Sequence, residues 1–125
     1  MSSVLHHPPR EEIDLAAVLH ALSDPQRLQI VRLLATQEEA VPCGRLKLDI
    51  TKSTATYHFR VLREAGVIEQ SPTGTSRLTA LRRADLDARL PGLLDVVLAP
   101  PTPRARPTQP AGAAAAQDGT KRVRL

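Results

Sequence analysis

At 125 residues and 42% apolar composition, the chain has material for one small domain built on Leu, Val, Ile and Ala, and too little for several. Its formal charge of +4 resolves into two parts: residues 99–125 carry five bases against one acid, and residues 1–98 carry twelve of each. A single cysteine excludes an internal disulfide, no run of 18 apolar residues offers a membrane span, and the N-terminus lacks the charged-then-apolar order of a secretory signal, so a reducing, cytoplasmic setting is expected.

Residues 1–10, which include His6-His7 followed by Pro8-Pro9, are expected to form a flexible N-terminus. From 11 to 22 (EEIDLAAVLHAL) the pattern predicts a helix with acids in its first turn. Its apolar cover is too broad for a lone surface helix, so it is expected to be buried on two sides or shared with a partner. The run SDPQRLQIVRLLAT follows. Ser23 or Asp24 is a candidate cap, Pro25 suits a first helical position, and Leu28, Val31, Leu34 and Ala35 fall at helical spacing. After a connector at 38–41, Pro42 is expected to open a short third helix, CGRLKLD, of about two turns. A turn at 49–51 then leads to a helix capped by Thr51 or Ser53 and stopped by Gly66.

Residues 67–81 (VIEQSPTGTSRLTAL) read as a β-hairpin whose loop is longer than two residues. Helical spacing returns in RRADLDARLPGLLDVVLA, with Pro91 breaking or kinking it. Residues 99–125 hold five of the eleven prolines and four consecutive alanines, and are expected to be a disordered basic tail. The resulting expectation is mainly α with a small β-hairpin: a winged helix-turn-helix of about five helices plus a wing, occupying residues 11–98.

The chemistry concentrates in TKSTATYHFRVLREAG (51–66), which holds both aromatic residues, Tyr57 and Phe59. On a helix of ~100° per residue, Ala55, Phe59 and Leu62 share an arc of about 60°, which makes Phe59 a core anchor. Ser53, Tyr57, Arg60 and Glu64 fall on the opposite face, with Thr56 and Arg63 on one flank and Thr54 on the other. His58 flanks the core face, where it either packs or touches a phosphate. Charge is biased in the same direction: residues 45–63 contain five bases and one acid, whereas residues 11–39 contain six acids and two arginines. Hydroxyls, Tyr and Arg on one helical face suit a DNA major groove, and a preceding short helix and turn complete a helix-turn-helix. Lys52, Ser53, Arg60 and Arg77 are the expected backbone contacts, with Arg77 reaching from the wing. Thr54, Thr56 and Tyr57 are the expected base-edge readers, and His58 and Arg63 complete the candidate DNA-binding set.

ALSDPQRLQIVRLLA (21–35), STATYHFRVLREAGVIE (53–69) and GTSRLTAL (74–81) together resemble the ArsR/SmtB family of winged-helix bacterial repressors. The resemblance spans roughly residues 11–98. It implies a homodimer built from the first and last helices, an imperfect palindromic operator in double-stranded DNA, and repression relieved by an inducer. The chain departs from the family at the inducer sites. The thiolate cluster that some members place before the turn is reduced to Cys43, and residues 82–98 supply Asp85, Asp87 and Asp95 without His or Cys. Soft metalloids need two or three thiolates, and carboxylates alone hold zinc or nickel poorly. No family-type metal and no cofactor is therefore expected, which leaves a constitutive regulator without an inducer, or one controlled by a small molecule or partner protein. Cys43 near a helix start is the candidate for redox response. No glycine-rich phosphate loop or nucleophile elbow points to an enzyme. A winged helix used only for protein contacts is the alternative, and the basic face of 52–63 argues against it.

Overall fold

The computed structural model of the chain describes residues 5–100. The elements are α1 (Leu15–Leu22), α2 (Pro25–Ala35), β1 (Val41–Pro42), α3 (Lys52–Ala65), β2 (Ile68–Thr73), β3 (Ser76–Leu81), α4 (Arg83–Arg89) and α5 (Leu93–Leu98), with 3-10 turns at Arg10–Glu12 and Cys43–Arg45. Five helices and a three-stranded antiparallel sheet make a winged helix-turn-helix. Among the described residues no helix is long and apolar enough to cross a membrane.

Local chemistry sets the helix ends. Asp14 caps α1, its carboxylate accepting from Ala17 N at 3.1 Å. Asp24 caps α2 by accepting from Gln26 N and Arg27 N, with Pro25 in the first turn, where its missing N–H costs nothing. Thr51 caps α3 through a bond from Thr54 N. Gly66 ends α3 at φ 89°, and it is also a packing position: a Cβ there would lie 2.7 Å from Ile13 Cγ1.

The core joins Val18, Ala21 and Leu22 of α1 to Ile30, Val31 and Leu34 of α2, and these to Phe59 and Leu62 of α3. Leu86 and Leu94 close it from the last two helices. The sheet order is β1-β3-β2, so Pro42 and Pro72 both sit on outer strands, where a missing donor is tolerated.

Four expectations are corrected. The first helix begins at Leu15 rather than 11, because Ile13 is drawn into the core in an extended conformation and Asp14 takes the cap. The expected two-turn third helix is a single 3-10 turn, because Val41 and Pro42 pair with Thr79 and Leu78 and pull the chain into the sheet. The hairpin loop is two residues, Gly74–Thr75, because pairing continues through Ser71↔Leu78 to Thr73↔Ser76. Gly74 supplies the positive φ (60°) that the first position of a type II′ turn requires. Finally, residues 7–10 of the expected flexible N-terminus are packed against the domain. Pro8 is buried, its carbonyl accepts from Arg82, His7 Nε2 accepts from Gln70 N, and Arg10 pairs with Asp85. This strap covers the free edge of β2 at Gln70. The expected tail lies, from residue 101 onward, outside the described residues.

Candidate nucleic-acid interface

Helix α3 is amphipathic over its whole length. Phe59 (5% exposed) and Leu62 (0%) anchor it in the core, while Tyr57 is 49% exposed. The two aromatics thus divide as the helical spacing predicts. Lys52, Ser53, Thr54, Thr56, Tyr57 and Arg60 are all exposed and lie in the first nine residues of α3.

The hydroxyls on this face differ in what they offer. Thr51 donates to Thr54 Oγ1 at 2.8 Å, which leaves the Thr54 proton free to donate outward. Thr56 donates to Lys52 O at 2.9 Å, so its methyl and oxygen lone pairs remain for a partner. The Arg60 guanidinium lies 5.8 Å from the centroid of the Tyr57 ring, a cation–π approach that restrains both side chains.

Two of the sequence-predicted site residues turn inward, His58 taking the packed alternative and Arg63 departing from the expected flank. His58 is buried at 7% exposure; its Nδ1 meets Arg27 Nη1 at 3.0 Å and its Nε2 lies 4.0 Å from Asp24 Oδ1. Arg63, on the expected flank, is also 7% exposed and donates to Gln70 Oε1 at 2.7 Å. Gln70 in turn donates to Thr79 Oγ1. Both side chains are buried and bonded inside the domain, so they are withdrawn from the nucleic-acid face. Helical spacing put them on flanks, and β2 and α2 cover those flanks.

Burial holds the Arg63 guanidinium below its ordinary pKa, and the like charges of Arg77 and Arg60 push the same way against Glu64. Arg77 and Arg60 therefore act on Arg63 across the junction of α3 and the hairpin. Arg77 is half-buried on β3, one residue beyond the pairing next to the turn. Cys43 is half-buried in the 3-10 turn.

Two features were missed from sequence. Arg45 and Lys47 are exposed on the segment leading into α3, and the basic bias of 45–63 was the signal for them. Arg27, buried at 6%, donates to Ala21 O at 2.6 Å as well as meeting His58. Only its place on the apolar side of α2 hinted at this.

Asp24 is pushed up by desolvation, but the backbone N–H groups of Arg27 and Gln26, together with the charges of His58 and Arg27, outweigh that and hold it below the usual carboxylate value. Among the described residues, no group of three or more His, Cys, Asp or Glu side chains is arranged to hold a metal ion.

Comparison with known proteins matches a helix-turn-helix domain family over residues 22–71, from the last residue of α1 into β2. Over 84 residues the chain is 37% identical to YceK of Bacillus subtilis (strain 168), described as an uncharacterized HTH-type transcriptional regulator. That alignment takes in 66% of this chain and 84% of YceK.

Proposed function

This chain belongs to the helix-turn-helix transcriptional regulators, a DNA-binding class, and we propose that within it the protein is a homodimeric repressor of the ArsR/SmtB type, reading a palindromic operator with α3. The observation that carries this reading is the division of α3 into a core face and an exposed face of Lys52, Ser53, Thr54, Thr56, Tyr57 and Arg60. Lys52, Ser53, Arg60 and Arg77 hold phosphates. Thr54 donates to, and Thr56 accepts from, base edges, and Tyr57 packs against them. Arg45 and Lys47 extend the phosphate contacts along the approach to α3.

Dimerisation is supported by large apolar side chains left on the first and last helices: Leu15 (48% exposed) and Leu19 (50%) on α1, and Val96 (78%) on α5. Small proteins bury such positions when they pair. A two-fold dimer places its two α3 helices in successive major grooves, about 34–36 Å apart, so the operator is a palindrome with half-sites one turn apart. The domain responsible spans 11–98, with 99–125 as a basic tail. The inducer is not a family-type metal, since Cys43 stands without further thiolates and α4–α5 offers carboxylates only.

Selection of bound sequences from a random duplex pool tests this reading. The expected outcome is enrichment of an inverted repeat. Enrichment of a single half-site would remove the dimer, and no enrichment at low salt would remove sequence-specific reading.

A further inference from the structure

We infer that the cleft between the 3-10 turn at Cys43, the start of α3 and the hairpin is a binding site for a small amphipathic organic anion, an apolar ring or short chain bearing one acidic group, whose binding excludes DNA. The exclusion rests on the DNA-binding role of α3 given above; the binding does not.

The cleft consists of two adjoining chambers of about 340 and 290 Å³ that share Cys43, Gly44, Lys52, Thr56 and Phe59. Each is at the lower end of the range of small-molecule pockets, about 300–1,000 Å³. The smaller chamber is walled by Leu46, Leu48, Ile50 and Ala55 with Phe59, which gives it an apolar interior. The larger is the more polar of the two and adds a second cation, with Arg77, Ser76 and Gln70 beside Lys52 and Thr56. An apolar chamber opening into a cationic one fits a ligand whose own halves differ in the same way.

Charge separates this cleft from the others. Lys52 and Arg77 line it with no Asp or Glu in either chamber. By contrast, the cleft at the end of α2 sets Arg83 against Glu38 and Glu39, and the cleft beside α5 sets Arg32 and Arg83 against Asp95. In those the cations face neighbouring acids. In the Cys43 cleft the acid must come from outside.

The consequence for DNA follows from shared groups. Lys52, Thr56 and Arg77 line the cleft and also belong to the DNA face. An acid seated against Lys52 and Arg77 occupies the cations that a phosphate would take, and its bulk sits between the start of α3 and the wing. The geometry thereby supplies a derepression mechanism without metal ligands.

Cys43 is the chain's sole thiol and lies in both chambers, so its alkylation reports occupancy directly. The probe is 8-anilinonaphthalene-1-sulfonate, an apolar bicyclic body with one sulfonate, added to the full chain while the rate of Cys43 alkylation by iodoacetamide is followed by mass spectrometry. The expected result is saturable slowing of alkylation by at least roughly fivefold, with neutral naphthalene derivatives less effective. Gly44→Leu is one variant, because Gly44 lines both chambers and a Cβ there meets nothing within 4 Å, so the fold accepts the substitution. It should weaken probe binding while keeping its melting temperature. Lys52→Gln, at an exposed position, should weaken the probe and the operator together.

Unslowed alkylation at saturating probe overturns the proposal, as does equal probe binding by Lys52→Gln. Protection of Cys43 by operator DNA but by no organic anion would make the cleft part of the DNA surface alone, and would overturn it too. The protection readout contains no DNA, so its failure is separable from a failure of the DNA-binding reading.

Discussion

Arg60 and Arg63 lie three residues apart on α3, one exposed and one buried, and replacing each with alanine separates DNA contact from structural support. Removing Arg60 takes one cation from each recognition helix. If each meets one phosphate, the slope of log affinity against log salt falls by about 0.9 per contact, about 1.8 for the dimer, at specific and nonspecific sequences alike. Stability should change by no more than about 0.5 kcal/mol, as for an ordinary surface substitution. Removing Arg63 breaks a charge-assisted bond to Gln70 Oε1 worth about 1.5–3 kcal/mol and leaves that buried oxygen without its donor. Loss of the packed stem adds to this. Relief of a desolvated cation whose Nε has no partner subtracts from it. The net expectation is a loss of about 2–4 kcal/mol, which in a domain of this size lowers Tm by roughly 10 °C or more. Arg63→Met should lose less, since it keeps apolar bulk. The assays are fluorescence anisotropy across a salt series and thermal unfolding. An Arg63→Ala protein with unaltered Tm and a reduced salt slope would refute the assignment of Arg63 to the interior, and an Arg60→Ala protein with an unchanged slope would remove Arg60 from the DNA face.

Gly66→Ala places a Cβ at φ 89° and 2.7 Å from Ile13 Cγ1. Left-handed strain of about 1–2 kcal/mol and overpacking of about 1–3 kcal/mol should destabilise the domain by about 2–5 kcal/mol in urea unfolding, and a change below about 1 kcal/mol would contradict the packing described. Leu19→Lys, at a half-exposed position on α1, should leave the protomer folded but convert it to a monomer in sedimentation and weaken operator binding severely; a dimer of unchanged affinity would move the interface elsewhere. Burial lowers the pKa of His7 below its ordinary 6.5, opposed by the bond to Leu5 O and aided by Arg63 and Arg82. The depressed value means that the folded state favours neutral His7. Its contribution to stability is therefore present above 6.5 and is lost as pH falls through the lowered value, when Nε2 can no longer accept from Gln70 N. His7→Gln should flatten that part of the stability–pH curve, and an unchanged curve would show that the strap does not depend on His7.

Much of this architecture is legible along the chain because local chemistry agrees with tertiary need. Asp24-Pro25 starts α2, Thr51 starts α3, Gly66 stops it, and Pro91 separates the last two helices. The failures occur where a distant segment overrides local preference. VPCGRLKLD has helical composition, but Val41 and Pro42 are claimed by β3. Residues 7–10 look like a loose terminus because the partners that hold them, Gln70, Arg82 and Asp85, lie more than sixty positions away. At the interface, periodicity separates Phe59 from Tyr57 but cannot tell an open flank from a covered one. His58 and Arg63 occupy flanks, and what covers them is contributed by α2 and β2.

The covering of His58 has a functional consequence. Arg27 holds the carbonyl of Ala21 at the end of α1 and, with its other arm, the ring of His58 on α3. Asp24 caps α2 through the backbone N–H groups of Gln26 and Arg27 and faces the opposite nitrogen of the same ring at 4.0 Å. The end of α1, the start of α2 and the middle of α3 are thereby tied at one buried point. Helix α1 also carries Leu19, on the face proposed for dimerisation, and the Tyr57 ring of α3 sits 5.6 Å from that of His58. In the proposed dimer, half-site spacing requires that the two recognition helices keep a fixed distance and angle, so rigidity between the proposed seam and α3 would matter as much as the contacts α3 makes. A purely apolar junction would hold these helices together, but it would tolerate small rotations of α3 at little cost. Directional bonds from a planar guanidinium to a ring nitrogen and a helix-terminal carbonyl resist such rotation. That accounts for Arg27 and His58 being kept at 6% and 7% exposure against a core of aliphatic residues and Phe59, apart from the second buried polar group of Arg63, Gln70 and Thr79.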